Sequence, residues 1–337
     1  MKPTDFAKYL SNYLGIYLPK QKNLSKNTLK SYRDTFKLFL LFCRDKKQLS
    51  IEEISFKKID SKLINEYLNW IEKERNCCIA TRNVRLAAIH SFYRYVQIEI
   101  PENLFCNQKI LSIPFKKAPN SIVDYLTVEE LKVLFNQPDI HTKKGRRDLT
   151  LLSTLYDTGA RVQEIIDLKV VDLRINKPAT ISLTGKGMKT RHVPITENTK
   201  QLLIRYLEEQ YLLANNKEYF SVFFNKQKKK LSRAGVAYII NKYVAMAKLK
   251  HPLFRKKINP HMMRHSKAMH LLQAGINLIY IRDFLGHSKL TTTEIYARAN
   301  IEMQREALEK AYPELLKTDL PDWNNDESLL NWLSEFN

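Results

Sequence analysis

The sequence predicts a mainly α protein with a small antiparallel β-sheet, divided into a helical N-terminal domain and a larger mixed α/β domain. Three observations lead there. Apolar residues recur at helical spacing from residue 3 to about residue 105. One strand–turn–strand pattern occupies residues 179 to 195. Between them, residues 107 to 121 lose periodicity and gather Pro114, Lys116, Lys117 and Pro119, as an extended linker would. At 337 residues the chain is long for one core and comfortable for two. The expected division is a helical domain over 1–106, a linker over 107–121, a second domain over 122–317 and an acidic tail over 318–337.

Composition narrows the function classes. A hydrophobic content of 44% supports packed cores and excludes a disordered chain. Lys and Arg total 56 against 35 Asp and Glu, a net charge of +21, and such a field attracts polyanions, nucleic acid first. The four cysteines (Cys43, Cys77, Cys78, Cys106) fit neither a metal knuckle nor a disulfide framework, so reduced, mostly packing thiols are expected. No apolar run approaches the roughly 18 residues of a membrane span, and the N-terminus lacks a signal-peptide pattern. A cytoplasmic protein with no membrane partner is expected.

In chain order, Phe6, Tyr9, Leu10, Tyr13 and Leu14 give the first helical stripe, and Leu24 to Thr28 a capped break. Helices follow over Thr28 to Cys43, roughly Ser61 to Arg75, and about Ala80 to Val96. On the last of these Leu86, Ile89, Phe92, Tyr93 and Val96 form the core stripe, leaving Arg82, Arg85 and Arg94 for the outside. Thr127 and Glu130 make a capping box that opens the second domain. A basic loop (Lys143, Lys144, Arg146, Arg147) precedes an apolar helix ending at Thr158-Gly159, and Ala160-Arg161-Val162-Gln163-Glu164 opens the next. Residues 179–183 and 191–195 are strands around a Gly185-Lys186-Gly187 turn, and Pro194 makes the second an edge. Helices return over about Asn198 to Leu213 and Arg233 to Leu249, and Pro260 sets a first turn at His261.

The densest chemistry lies between residues 261 and 297. His261 and Arg264, three apart on a helix, converge on one group. A helical stripe through Leu278, Ile281 and Leu285 stops at Gly286, His287 follows the turn, and Tyr296 comes nine residues later. Cationic groups, a turn histidine and a tyrosine suit an oxyanion site with a hydroxyl nucleophile.

His-x-x-Arg-His, then Leu-Gly-His, then Thr-Thr-x-x-Tyr resembles the active-site signature of the tyrosine recombinases, the integrase family of site-specific DNA recombinases. Thr-Gly-x-Arg-x-x-Glu at Arg161 resembles that family's first arginine motif, and the 179–195 hairpin its lysine motif. The resemblance implies a helical core-binding (DNA-clamping) domain followed by a catalytic domain, with Arg161, Lys186, His261, Arg264, His287 and Tyr296 as the catalytic set. It also implies double-stranded DNA recombination sites as partners, with Lys30, Arg33, Arg82 and Arg85 as candidate phosphate contacts; Lys116 and Lys117 would let the linker pass along the same phosphate backbone. Self-association on DNA into a dimer or tetramer synapse, through the tail, is expected as well. No metal or cofactor is implied. Lys267 departs from the family pattern, which favours an apolar or aromatic residue there. Packing or DNA contact is the expected role for this lysine.

The resemblance also implies what each group does. Arg161 and Arg264 clamp the non-bridging oxygens of a phosphate, with His287 hydrogen-bonding it. His261 accepts the tyrosine proton or donates to the phosphate, and Lys186 protonates the departing 5′-hydroxyl. The product is a 3′-phosphotyrosine that a 5′-hydroxyl can resolve. Integration, excision or transposition of a mobile element is the expected role. The alternatives are chromosome-dimer resolution, a type IB topoisomerase and a non-catalytic DNA-binding protein.

Overall fold

The computed structural model describes residues 3–118, 123–176, 178–185, 187–214, 216–252, 254, 257–287, 293–296, 331 and 333–334. The chain forms two compact units, Met1–Ser121 and Ile122–Asn337.

In the first unit, α1 (Asp5–Asn12) starts where the Thr4 hydroxyl accepts from the Ala7 N–H. It runs into a wider, π-type helical stretch, Tyr13–Gln21, that contains Pro19. Ser25 caps α2 (Lys26–Lys47), and Asp60 caps α3 (Ser61–Lys73). Then come α4 (Ile79–Glu99) and α5 (Leu104–Leu111). Phe92 of α4 sits among aromatic rings, with Phe36 at 5.1 Å, Tyr13 at 5.2 Å and Phe6 at 5.6 Å, all at steep interplanar angles. Edge-to-face rings of this kind add directional packing to the apolar area they bury.

Three expectations change in this unit. α5 occupies the first residues expected to be linker, because Ile110 and Ile113 bury beside α3 and α4 and His90 bonds the Ile110 carbonyl. Only two residues of α5 are buried, so its sequence carries little periodicity. Arg82 is not on the outside: it is 4% exposed and donates to the Pro114 carbonyl at 3.2 Å. Cys43 alone of the four cysteines is buried, while Cys78 and Cys106 lie at the surface.

The second unit opens at the expected capping box on α6 (Val128–Phe135). α7 (Lys143–Asp157) begins earlier than expected. Thr142 caps it, and the four basic residues lie in its first turns rather than in a loop. After α8 (Val162–Asp167) come β1 (Leu173–Arg174), β2 (Thr180–Thr184) and β3 (Thr190–Pro194), antiparallel in that order. β3 is the edge that Pro194 predicted; the two-residue β1 is too short to leave a pattern. The unit continues with α9 (Glu197–Glu209), α10 (Arg233–Lys250), α11 (Pro260–Gln273) and α12 (Leu278–Leu285). Its main core gathers Leu151, Leu155, Ile181, Tyr206, Ile240 and Met263. A smaller core of Ala268, Met269, Leu272, Ile281 and Leu285 receives Tyr296. Among the described residues no helix is long and apolar enough to cross a membrane.

Candidate active site

The site is built where α12 ends. A helix C-terminus leaves carbonyls unsatisfied and carries partial negative charge, so cations are stabilised there. Here three arginines from three elements take three successive carbonyls. Arg191 of β3 donates from Nε to the Phe284 carbonyl at 2.9 Å. Arg264 of α11 donates from Nη2 to the Leu285 carbonyl at 2.5 Å, and from Nη1 to the Gly159 carbonyl at 2.7 Å. Arg161, the residue before α8, reaches the Gly286 carbonyl more loosely, at 3.5 Å. Gly286 is the left-handed residue that ends α12, with φ +65°. An added Cβ there would lie 3.1 Å from the Arg191 side chain, so glycine answers both the backbone and the close approach.

Glu164 organises the arginines from below. Its carboxylate accepts from both terminal nitrogens of Arg191 at 2.7 and 3.1 Å, from Arg161 Nη1 at 2.9 Å and from the Arg161 N–H at 2.9 Å. Burial works to raise this carboxyl, but the bonds and charge of Arg191, then Arg161, outweigh it and hold the group below its ordinary range. Arg161 keeps its side chain 35% exposed, against 13% for Arg191. Burial, then the charge of Arg161, pushes Arg264 down to about 9, which leaves it protonated at neutral pH.

Tyr296 is buried at 1% exposure, and its hydroxyl lies 2.9 Å from Nδ1 of His265. Burial raises its pKa, while the charges of Arg264 and Arg161 act to lower it. Burial, then neighbouring positive charge, depresses His261; His265 is lowered by burial, then by His261 and Arg264. His287 falls to about 4, again through burial first and then Arg264, Arg161 and Arg191. With its proton on Nε2, a neutral His265 can accept a hydrogen bond from the Tyr296 hydroxyl through Nδ1. His287 stacks on the Tyr296 ring at 6.4 Å and pairs through Nδ1 with the Thr293 hydroxyl at 3.0 Å.

The structure thus gathers Arg161, Arg264, His287 and Tyr296, and His261 lies within the influence of the same two arginines, its ring 6.4 Å from that of His265. Lys186 lies outside the described residues. Its neighbour Gly185 does not: an added Cβ there would be 3.0 Å from Glu164 Oε1 and 3.7 Å from Arg161 Nη1. The hairpin arm leading to Lys186 therefore rests on the arginine–glutamate pair. Two site residues were missed from sequence. His265 sits four residues after His261 on the same helical face, a legible signal. Arg191 pairs with Leu183 on the core-facing side of the sheet, an unusual place for an arginine.

The candidate phosphate contacts separate into two kinds. Lys30, Arg33 and Lys117 are exposed, and Arg33 pairs with its neighbour Asp34. Arg85 instead donates to the Ser31 carbonyl and the Thr35 hydroxyl. Lys116 pairs with Glu72, and its backbone exchanges two hydrogen bonds with the Asn83 amide. The Arg82 and Asn83 bonds strap residues 114–116 to α4, and Glu72 adds a tie to α3. Lys267 packs: its Nζ lies 3.1 Å from Asp157 Oδ1 and over the Tyr156 and Phe284 rings. Residues 318–330, Trp332 and residues 335–337 of the acidic tail lie outside the described residues.

The chain is similar to known proteins over most of its length. Residues 124–303 match the phage integrase family, and residues 12–99 match the phage integrase N-terminal SAM-like domain. The chain is 35% identical over 334 residues to the putative integrase/recombinase y4rC of Sinorhizobium fredii, covering 99% of both chains. It is 33% identical over 302 residues to tyrosine recombinase XerC of Oceanobacillus iheyensis, covering 88% of this chain and 93% of that one. Its fold is similar to the XerH site-specific recombinase bound to palindromic difH substrate, with a TM-score of 0.69 and 24% identity. That match covers 85% of this chain and 80% of the other.

Proposed function

Because the chain belongs to the phage integrase family of tyrosine recombinases, enzymes of site-specific DNA strand exchange, we propose that Tyr296 cleaves DNA by forming a 3′-phosphotyrosine link. The observation that carries this reading is the Tyr296 hydroxyl held by His265 beside a cluster of arginines. Arg161 and Arg264 offset the charge that grows on the non-bridging oxygens, and His261 and His287 add donors to the phosphate. The tyrosine oxygen bonds phosphorus as its proton passes to His265 Nδ1, the contact that favours His265 over His261 as acceptor. The bond to the 5′-oxygen breaks, and Lys186, carried by the hairpin, protonates that oxygen. A second 5′-hydroxyl reverses the steps on another strand. One phosphodiester is exchanged for another, so the cycle needs no external energy.

Double-stranded recombination sites are the partner, with Lys30, Arg33 and Lys117 supplying phosphate contacts from the first unit. The acidic tail, residues 318–337, joins neighbouring protomers on DNA. Integration or excision of a mobile element is the role favoured by the full-length similarity to a putative integrase/recombinase. The similarity to XerC favours chromosome-dimer resolution as the second reading.

Incubation with nicked, labelled suicide DNA in a chelator tests the mechanism. Wild-type protein is expected to acquire the 3′ end covalently and the Tyr296→Phe variant to acquire none. An adduct on Tyr296→Phe overturns the assignment. Excision of a marked element flanked by its own ends, against resolution of a chromosomal dimer, separates the two roles.

A further inference from the structure

Arg191 belongs to none of the expected catalytic positions, yet it is the residue that binds Glu164 most fully. Both of its terminal nitrogens meet the two carboxylate oxygens, while Arg161 shares one of those oxygens through a single side-chain nitrogen. The charges make the point. Two guanidiniums on one carboxylate leave a net positive charge, and the more exposed of the two is Arg161. Without Arg191, Glu164 would face Arg161 alone, and the pair would be neutral. The carboxylate is almost wholly buried, at 3% exposure, so solvent would not take over the role of Arg191.

We propose that Arg191 is a positioning residue for strand cleavage: it takes the larger share of Glu164, so that Arg161, held to the same carboxylate by one side-chain nitrogen, keeps net positive charge for the reacting phosphate. Its third bond, from Nε to the Phe284 carbonyl, fixes where it stands and ties the carboxylate to the α12 terminus. A lysine in its place keeps the charge but loses the fork that spans both Glu164 oxygens and the carbonyl.

The proposal rests on the phosphotyrosine reading, and a suppressor experiment tests it. Single-turnover cleavage of suicide DNA is measured at saturating protein for wild type, Arg191→Ala, Arg191→Lys and the double variant Arg191→Ala/Glu164→Gln. Dissociation constants and melting curves are recorded alongside. Arg191→Ala is expected to slow cleavage about 10²-fold, the scale of losing one charge-stabilising donor, with DNA affinity little changed. Arg191→Lys should fall between it and wild type. Removing the carboxylate as well releases Arg161, so the double variant should regain about tenfold of that rate. A residue that served only to hold the fold would give a double variant no faster than the single one, and that result overturns the proposal. Wild-type cleavage by Arg191→Ala overturns it too. If Arg191→Ala fails to fold, Arg191→Lys with and without Glu164→Gln makes the same comparison. Failure of the wild type itself to form an adduct would instead remove the phosphotyrosine reading.

Discussion

Tyr296 holds its hydroxyl 2.9 Å from Nδ1 of His265, a residue one position beyond Arg264 on α11. The same helix thus presents an imidazole nitrogen to the tyrosine hydroxyl and a buried guanidinium to the α12 terminus.

His265→Ala is expected to slow single-turnover cleavage by about 10²- to 10⁴-fold, the usual range for losing a positioned base. DNA binding should be unaffected. The pH dependence follows from sign. Burial, then His261 and Arg264, holds the pKa of His265 below its ordinary 6.5, so the acceptor is neutral above that pH and is lost as pH falls through its lowered value. Wild-type cleavage should be level above pH 7 and decline on the acid side, and the variant should lack that acid limb. A limb unchanged in the variant would assign the titration elsewhere.

The Lys267–Asp157 pair predicts a stability effect without a DNA effect. Both side chains are largely buried, at 15% and 6% exposure, and Asp157 also accepts from the Thr196 backbone and hydroxyl. Removing one partner strands the other, so Lys267→Met should cost about 3 kcal/mol in urea unfolding. Adding Asp157→Asn should recover part of that loss. Affinity for DNA at fixed salt should stay the same, and a fall in the salt slope would make Lys267 a phosphate contact.

Arg82 and Lys30 should behave in opposite ways. Lys30→Ala is expected to reduce the slope of log affinity against log salt by about 1, as one phosphate contact does. Arg82→Ala should leave that slope alone and speed hydrogen exchange over residues 113–117, because its bond to Pro114 holds that segment on α4. An altered slope in Arg82→Ala would return this arginine to the DNA surface.

Legibility in the sequence followed the range of each interaction. The capping box at Thr127 and the turn at Gly286 were readable because their causes lie within a few residues. The strand pair was readable because alternation and glycine mark it locally. Arg82 misled because exposure was inferred from helical phase alone, whereas its burial comes from a carbonyl 32 residues away. Arg191 was overlooked for the same reason. Its partners are Glu164, 27 positions before it, and Phe284, 93 positions after it. His265 closes the His-x-x-Arg-His motif, but nothing in one sequence says that its ring meets Tyr296.

The three arginines grip Phe284, Leu285 and Gly286 by their carbonyls, not by their side chains. Natural variants can therefore exchange one apolar residue for another at 284 and 285 while the guanidiniums keep their partners. Length is another matter. One residue inserted or deleted between 284 and 286 would pass each carbonyl to the wrong arginine and carry His287 out of place. Among homologues, positions 284 and 285 should drift in composition while Gly286 stays and the stretch tolerates no gaps.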